Sequence, residues 1–195
     1  VHAFLPETPS PERDRGHSTK AFVEALEIST GSPAWRTVPP DANDCYATLL
    51  RTHLFGRDAL ALPTWGRLVL LDAADGSISW SMAMPIRQCV PSPVADDRTV
   101  YLTSGTVYDS PGSLALRLPH APGEEGRVTW VREEDSAETS SPVLLDGLLY
   151  MATTRGIVSC IEAATGQTVW REKVGGRIHA SLVAMAGRVY VTSTQ

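Results

Sequence analysis

The chain is patterned as short apolar runs separated by turns that contain glycine and aspartate. Residues are apolar at consecutive positions within a run, as in Leu68–Leu71, Val143–Leu145 and Leu148–Met151. Short runs bounded by turn residues favour β-strands, and consecutive side chains of a strand point to opposite faces of its sheet. The pattern therefore predicts an all-β chain whose small sheets are covered on both faces.

A glycine followed four residues later by a tryptophan recurs along the chain at intervals of 40 to 50 residues. The four occurrences are Gly31–Trp35, Gly76–Trp80, Gly126–Trp130 and Gly166–Trp170. In three of them an acidic residue precedes the glycine by four positions: Glu27, Asp72 and Glu162. A period of this length is typical of architectures that stack one small unit several times. The sequence therefore predicts a repeat protein.

The third copy departs from the others because a loop replaces its tight turn. Its strand Leu114–Leu118 is followed by the insertion Pro119–Glu125 before the glycine. A second pattern recurs upstream of the tryptophans, where a Ser-Pro-Val or Ser-Leu-Val triplet precedes a polar turn and an apolar run. These triplets begin at Ser92, Ser141 and Ser181. Together the two patterns indicate units of four short strands joined by hairpin turns.

The unit that contains Trp170 predicts strands at 141–145, 148–153, 157–162 and 167–172. Asp146-Gly147 and Thr165-Gly166 lie at its turns, where glycine supplies the positive φ that a tight hairpin or its bulge requires. The segment Ala21–Ile28 also fits helical spacing, but the same position in its siblings is strand-like, so the repeat assigns a strand there.

Four-stranded antiparallel units of this size, stacked face to face around an axis, are the blades of a β-propeller, which buries both faces of each sheet and leaves only short edges. We predict an all-β fold, a β-propeller of four-stranded antiparallel blades, with about four blades in a single domain over residues 1–195 and a partial blade at 180–195. Each tryptophan should lie on an outer strand, where its ring bridges to the neighbouring blade.

The series of alanine, acidic residue, Thr-Gly and tryptophan resembles the repeat A-x-D-x-x-T-G-x-x-x-W of the pyrroloquinoline-quinone (PQQ) dehydrogenase-like propellers. The first copy matches it at Ala25, Glu27, Thr30, Gly31 and Trp35, with Glu in place of Asp. Later copies depart from it at Leu70, Asp75 and Cys160. Relatives include PQQ-dependent alcohol and glucose dehydrogenases, an assembly lipoprotein of the bacterial outer-membrane β-barrel machinery, and sensor domains of bacterial Ser/Thr kinases. Fold alone does not choose among these functions. Because most relatives work outside the cytoplasm, the resemblance implies an extracytoplasmic location.

The two ends of the chain read as complementary parts of one blade. Residues 180–195 supply a first and a second strand, and a third strand begins near Phe22. Pairing of the two ends within one sheet would close a four-bladed ring and remove exposed strand edges. The resemblance implies rings of seven or eight blades, so the alternatives are a piece of a larger ring, or two chains that complete one ring by exchanging half-blades. Val1–Leu5 reads as the tail of a further second strand, which favours a piece of a larger ring.

The net charge of the chain argues against two classes of binding partner. The chain has 17 basic and 22 acidic residues and a net charge of −5, without the basic footprint that nucleic acid or an anionic membrane attracts. No apolar stretch approaches the roughly 20 residues that span a bilayer. We therefore expect neither nucleic-acid binding nor membrane insertion.

Candidate chemistry is sparse, and we assign no catalytic, cofactor-binding or metal-binding residue. The cluster Asp41–Asp44 lacks the glycine and the distant glutamate of a calcium loop and reads as a polar turn between blades. Asp96-Asp97 reads as a hairpin turn, and Glu133–Asp135 as a solvated blade connection. The five histidines lack metal-ligand spacing. Cys45 and Cys89 fall at similar positions of adjacent blades; they are either buried thiols or, if their Cα atoms lie within about 7 Å, a disulfide.

Two functions remain. In the first, the chain is a non-catalytic scaffold that binds a protein or peptide partner, as a sensor or assembly domain of a larger protein. Its binding surface would be the top-face loops, namely residues 6–20 before Phe22 and the insertion Pro119–Glu125, because loops on a rigid frame carry function. In the alternative, the chain is part of a PQQ-dependent quinoprotein dehydrogenase, and other blades hold the ligands of PQQ and calcium. An adjacent-cysteine pair, which the resemblance implies for many alcohol-oxidising members, does not occur in the sequence.

Overall fold

The computed structural model describes residues 21–41, 46–104 and 112–194, together with the backbone of 2–4. All regular secondary structure in these residues is β-strand, which confirms the all-β prediction. The strands are β1 (His2–Phe4), β2 (Phe22–Leu26), β3 (Pro33–Thr37), β4 (Leu50–Leu54), β5 (Arg57–Thr64), β6 (Arg67–Asp72), β7 (Ile78–Ala83), β8 (Val94–Ala95), β9 (Thr99–Thr103), β10 (Ser113–Arg117), β11 (Arg127–Arg132), β12 (Val143–Leu145), β13 (Leu148–Ala152), β14 (Ile157–Glu162), β15 (Thr168–Lys173), β16 (Val183–Met185) and β17 (Arg188–Tyr190).

Three of the sheets are four-stranded antiparallel meanders in which strand order follows chain order. We call them blade 2 (β4–β7), blade 3 (β8–β11) and blade 4 (β12–β15), flanked by blade 1 (β1–β3) and blade 5 (β16 and β17). The first strands of successive blades lie side by side, β4 near β8, β8 near β12 and β12 near β16. The fold is the predicted β-propeller, and the strands predicted for blade 4 agree with the observed ones to within two residues at each end.

The turn between the third and fourth strands of a blade explains the acidic and glycine positions of the repeat. In blade 2, Gly76 adopts a φ of 71°, and its amide donates to the Asp72 carbonyl at 2.9 Å. The Asp72 carboxylate accepts a hydrogen bond from the amide of Ala74 at 2.9 Å. Gly31 and Gly166 adopt the same backbone conformation, with φ of 72° and 73°. The acidic residue and the glycine therefore close the tight turn that brings the tryptophan strand back along its sheet.

The tryptophan of each of blades 1 to 3 packs on the following blade, as predicted: Trp35 and Trp130 on this turn, and Trp80 on Gly126 after the insertion of blade 3. The ring of Trp35 lies against Gly76, where a Cβ would overlap the ring and lie 2.7 Å from the Thr37 hydroxyl oxygen. The Trp35 indole N–H donates to the Ala73 carbonyl of blade 2 at 3.2 Å. The glycine is thus required for conformation and also for the close approach of the neighbouring ring.

The same contact recurs between the next blades. A Cβ on Gly126 would lie 2.5 Å from the Trp80 ring, and one on Gly166 would lie 2.9 Å from the Trp130 ring. Trp130 also donates its indole N–H to the Ala163 carbonyl at 2.8 Å. These rings are half-buried rather than fully buried, so truncating one should cost less than the roughly 3 to 5 kcal/mol of a fully buried tryptophan.

The Ser-Pro-Val triplets form a second series of contacts between blades, near the first strands. The Thr48 amide donates to the Ser92 hydroxyl at 3.2 Å, the Ser92 amide to the Ser141 hydroxyl at 3.0 Å, and the Ser141 amide to the Ser181 hydroxyl at 3.1 Å. Each serine thus accepts from the preceding blade and, at Ser92 and Ser141, donates to the following one. The serines of the triplets therefore link each blade to the next by hydrogen bonds.

The core lies between the blades. Leu68, Val69, Leu70 and Leu71 of β6 are all fully buried, because both faces of blade 2 are covered. One apolar cluster joins blades 1, 2 and 3, a second joins blades 3 and 4, and a smaller one joins blades 4 and 5. The consecutive apolar runs of the sequence are therefore core strands with two buried faces.

Pairing of the two chain ends in one sheet, one of the three alternatives that the sequence leaves open, does not occur among the described residues. Strands β16 and β17 form a two-stranded sheet of their own, and β17 is not hydrogen-bonded to β2. The neighbour of β2 is instead β1, which pairs Phe4 with Phe22. Since β1 takes the second-strand position of blade 1, the four-bladed ring closed by its own ends is not formed, and Val1–Leu5 reads correctly as part of a second strand over His2–Phe4.

Candidate functional site

The insertion of blade 3 joins β10 to β11 and is the longest third-to-fourth-strand connection in the described residues. The chain first extends the sheet by one residue, because the Leu118 amide donates to the Arg98 carbonyl at 2.8 Å. It then turns back, with the Glu124 carboxylate accepting from the His120 amide at 2.8 Å. That bond holds the pKa of Glu124 below its usual value, so this residue is an anion at neutral pH. Gly126, after the insertion, does not adopt the positive φ of its siblings.

An open pocket of about 470 Å³ lies beside the insertion. Arg98 contributes from the β8–β9 turn, Arg117 from the end of β10 and Arg127 from the start of β11. The remaining lining consists of buried Leu118 and Pro119 and of three polar side chains: His120, Glu124 and Glu125. Three guanidinium groups can bind carboxylates through paired hydrogen bonds, and arginine is enriched in protein interfaces. The pocket therefore suits an acidic segment of a partner.

The turn that carries Arg98 is fixed by a carboxylate. Asp96 accepts hydrogen bonds from the Arg98 amide at 3.0 Å, the Thr99 amide at 2.8 Å and the Tyr101 hydroxyl at 2.7 Å. Burial opposes ionisation of Asp96, but these bonds outweigh it and lower the pKa of Asp96. Burial and the Asp96 carboxylate raise the pKa of Tyr101 above its usual value. The structure confirms the Asp96-Asp97 hairpin turn and gives it a role in positioning one wall of the pocket.

One of the two loops that were expected to form a single binding surface, residues 6–20, lies outside the described residues. The other, Pro119–Glu125, leaves β10, the third strand of blade 3. The shared top-face surface therefore stays a prediction.

The acidic run at Glu133–Asp135 is more than a solvated connection, which corrects the expectation for it. Asp135 is 7% exposed and accepts two hydrogen bonds from the Arg171 guanidinium of β15, at 2.6 and 3.1 Å. Its φ of 47° places it in the left-handed region. Glu133 and Glu134 behave as expected: both are exposed, and the Glu134 side chain is 83% exposed. Asp135 therefore joins the connection after blade 3 to the outer strand of blade 4.

The other acidic and cysteine candidates have structural roles where the structure describes them. Asp41 accepts from the Arg67 guanidinium at 3.1 Å, whereas the rest of Asp41–Asp44 lies outside the described residues. Cys89 and Cys160 are buried. Cys45 also lies outside the described residues, so its pairing with Cys89 stays a prediction.

The described histidines are spread over the chain. His53 contacts Asp58 at 3.0 Å, His120 lines the pocket of blade 3, and His179 lies 3.4 Å from the Thr139 hydroxyl. The side chain of His2 and all of His17 lie outside what is described.

The PQQ and calcium that the resemblance implies can be tested against the donor groups. Calcium requires about six to eight oxygen ligands, several of them carboxylates. Across the described ranges, no three His, Cys, Asp or Glu side chains come together as a metal site. The described residues therefore do not supply the ligand cluster of such a calcium site.

The pocket arginines were not identified from the sequence. Arg117 and Arg127 flank the insertion and could have been noted as its ends, but Arg98 is about twenty residues earlier in the chain. Only the antiparallel pairing of β9 with β10, which places Thr99 opposite Arg117, brings Arg98 to the same end of the sheet.

Comparisons with known proteins agree with this fold. The sequence profile of a family described as outer membrane protein assembly factor BamB matches residues 120–195. The chain is 23% identical to the outer membrane protein assembly factor BamB of Yersinia pestis in an alignment 191 residues long that covers 89% of this chain and 44% of the relative. It thus spans less than half the length of that relative. No helix in the described residues is long and apolar enough to cross a membrane.

Solved structures give the same fold at low identity. BamB from Moraxella catarrhalis is 15% identical, with a TM-score of 0.51 over 88% of this chain and 64% of its own. A quinohemoprotein alcohol dehydrogenase from Pseudomonas putida is 15% identical, with a TM-score of 0.59 over 87% of this chain and 38% of its own. The blades, the tryptophan repeat and these structures together show that the chain has the β-propeller fold, and its repeat is similar to the PQQ-like repeats of such propellers.

Proposed function

We propose that this chain is a non-catalytic propeller scaffold that binds a protein or peptide partner. The similarity to assembly factors of outer-membrane proteins supports an assembly role in a larger protein, outside the cytoplasm. We further propose that the partner docks on the insertion of blade 3 and its pocket. The observation that carries this is the convergence of three arginines from separate segments around one open pocket.

The chemistry of the pocket defines the partner segment. Its three guanidinium groups exceed the two carboxylates of Glu124 and Glu125 by one charge, in a chain whose net charge is −5. A local excess of positive charge on an acidic protein attracts negatively charged segments and raises their association rate. Buried Leu118 and Pro119 add an apolar floor. The partner segment is therefore an extended peptide that alternates carboxylates with apolar side chains.

The test is a binding titration with a fluorescein-labelled peptide of alternating Asp and Leu, with the matching Lys-Leu peptide for comparison, read by anisotropy. We expect saturable binding of the acidic peptide only. The triple variant Arg98→Glu, Arg117→Glu, Arg127→Glu should weaken this binding by about tenfold or more, because charge-assisted hydrogen bonds are lost and like charges are introduced.

The matched control changes three exposed arginines outside the pocket: Arg155→Glu, Arg177→Glu and Arg188→Glu. It alters the net charge by the same amount and should leave binding close to the parent value. Equal loss in both triple variants would mean that only overall charge matters and would contradict the proposed site. Tight binding of PQQ with calcium in the same assay would instead favour the dehydrogenase alternative.

A further inference from the structure

The turn between the first two strands of blade 2 holds an aromatic residue in a conformation that such residues seldom adopt. Phe55 has a φ of 52° and Gly56 a φ of 78°. Blades 4 and 5 have the same two-residue turn, with Asp146 at a φ of 50° and Ala186 at a φ of 51° in its first position. Such a pair of positive φ values favours Asn, Asp or Gly and is strained for a bulky side chain. Phe55 is therefore an unfavourable residue for its own turn.

The core of blade 2 does not account for this phenylalanine. The preceding residue, Leu54, is 4% exposed and belongs to the apolar cluster that blades 1 to 3 share. Phe55 is 36% exposed and belongs to none of the three apolar clusters of the described residues. A Cβ placed on Gly56 would meet no atom within 4 Å, so space around the turn is open. A strained aromatic residue outside the core is typical of a contact with a partner.

This turn lies at the same end of the blades as the arginine pocket. Just before β4 and β8, the Thr48 amide donates to the Ser92 hydroxyl at 3.2 Å, which sets the starts of these two strands side by side. The strands then run to their turns, β4 to Phe55 and β8 to the turn that carries Arg98. Stacked sheets pack about 10 Å apart, and an extended peptide advances about 3.3 Å per residue. About three residues of such a peptide therefore reach from one turn to the other.

A second pair of contacts joins the same two ends farther out along the blades. In blade 2, the Ala73 amide of the turn between the third and fourth strands donates to the Asp58 carbonyl, close after the Phe55 turn, at 3.1 Å. The Trp80 ring of blade 2 lies against Gly126, which follows the insertion of blade 3. The Phe55 turn and the insertion therefore belong to one continuous end surface of blades 2 and 3.

Two carboxylates near the Phe55 turn are neutralised by cationic partners. Asp58 contacts Arg51 at 3.2 Å and His53 at 3.0 Å. Buried Asp72 contacts Arg57 at 2.8 Å. The excess positive charge of the neighbouring pocket is thus not cancelled by these two acidic residues. A negatively charged segment that is attracted to the pocket can pass beside the turn.

From these observations we infer that Phe55 is a second anchor for the partner segment of the arginine pocket and binds an apolar side chain of that segment. The inference rests on the proposed function, because one extended acidic and apolar peptide occupies both places. Its carboxylates bind the three guanidinium groups of the pocket, and an apolar side chain about three residues away packs on the Phe55 ring. The strained turn presents the ring to the partner.

The test measures stability and binding in one variant, Phe55→Asn. Asparagine is favoured in this turn, so the variant should raise Tm by about 2 to 4 °C. It should also weaken the binding of the peptide of alternating Asp and Leu, read by anisotropy, by about tenfold. A peptide of alternating Asp and Gly keeps the carboxylates but lacks the apolar side chains. We expect it to bind the parent more weakly and to bind Phe55→Asn equally well.

Two further variants are the controls. Ala186→Asn introduces asparagine at the equivalent turn of blade 5 and should leave the binding of both peptides unchanged. Phe55→Trp keeps an aromatic ring at the turn and should bind the Asp-Leu peptide within about twofold of the parent. A fall in Tm for Phe55→Asn would show that the ring serves packing within blade 2 and would overturn the inference. Unchanged Asp-Leu binding in that variant would overturn it as well.

The second anchor and the pocket fail in different ways. If the arginine triple variant loses Asp-Leu binding and Phe55→Asn does not, the pocket stands and the second anchor is wrong. If the parent binds neither peptide, the pocket is wrong and the second anchor is wrong with it. An equal loss of Asp-Leu and Asp-Gly binding in Phe55→Asn would show that the substitution disturbs the pocket itself, which would also contradict an apolar contact at Phe55.

Discussion

At the scale of single residues, short polar contacts decide where the turns of the blades sit. Asp96 illustrates this, because three donors converge on one carboxylate and fix the turn that carries Arg98. Asp135 does the same between blades, where its buried carboxylate binds Arg171. Both residues look in the sequence like ordinary acidic positions in loops. Their partners come from strand pairing and from the next blade.

Tyr101→Phe tests the Asp96 contact. The lowered pKa of Asp96 means that its contribution to stability is present above the pKa of the unfolded chain and is lost as pH falls through the folded value. We expect the variant to lose about 1 kcal/mol at pH 7, at the low end for a bond to a charged group because Asp96 is largely exposed. The loss should shrink at a pH low enough to protonate Asp96, which lies below the usual range of an aspartate carboxyl.

Urea unfolding at both pH values measures the difference in the free energy of unfolding. Tyr190→Phe, at the equivalent exposed position of blade 5, is the control and should have little effect at either pH. A loss for Tyr101→Phe that is the same at both pH values would show that the hydroxyl does not act through the carboxylate.

At the scale of elements, the turn between the third and fourth strands of a blade has two roles. It ends the third strand, and it contacts the tryptophan of the preceding blade. Gly31 and Gly76 separate these two roles. They share the same φ, 72° and 71°, but a Cβ at Gly76 would meet Trp35 and Thr37, whereas a Cβ at Gly31 would meet nothing within 4 Å. The two positions therefore differ only in the contact with the preceding blade.

Gly31→Ala should cost about 1 to 2 kcal/mol, the strain of an L-residue in the left-handed region. Gly76→Ala should cost about 1 to 3 kcal/mol more, because the Trp35 ring must shift. Chemical denaturation of both variants gives the difference, and the extra cost should disappear in a Trp35→Ala background. Equal costs for the two alanine variants would contradict the role of Gly76 in the inter-blade contact.

At the scale of the whole molecule, stability is distributed blade by blade, as in other repeat proteins, because each sheet buries its faces mainly against its neighbours. Blades 2 and 3 share the largest apolar cluster. Blade 5 contributes only two three-residue strands, and most of their side chains are exposed. Local opening should therefore begin at blade 5 and reach blades 2 and 3 last.

Hydrogen exchange followed by mass spectrometry tests this gradient. Amides in 57–72 should exchange about 100-fold or more slowly than those in 183–190, because they open only with the shared core of blades 2 and 3. Uniform protection of both segments would instead indicate that the described residues unfold as one cooperative unit.

The sequence by itself determined the strand pattern, the repeat and the propeller fold. It could do so because Leu68–Leu71 and its siblings have no polar face, and because the glycine and tryptophan of each turn are local signals that recur. It also gave the strands of blade 4 to within two residues and the Asp96-Asp97 turn.

The tertiary structure decided which strands pair and which side chains lie next to each other. It gave the second-strand position of blade 1 to β1 and brought Arg98 beside Arg117 and Arg127. It also left Trp170 exposed, whereas the other three tryptophans of the repeat each contact a glycine of the following blade. These outcomes depend on pairing between distant strands and on contacts from the next blade, and no single repeat encodes either of them.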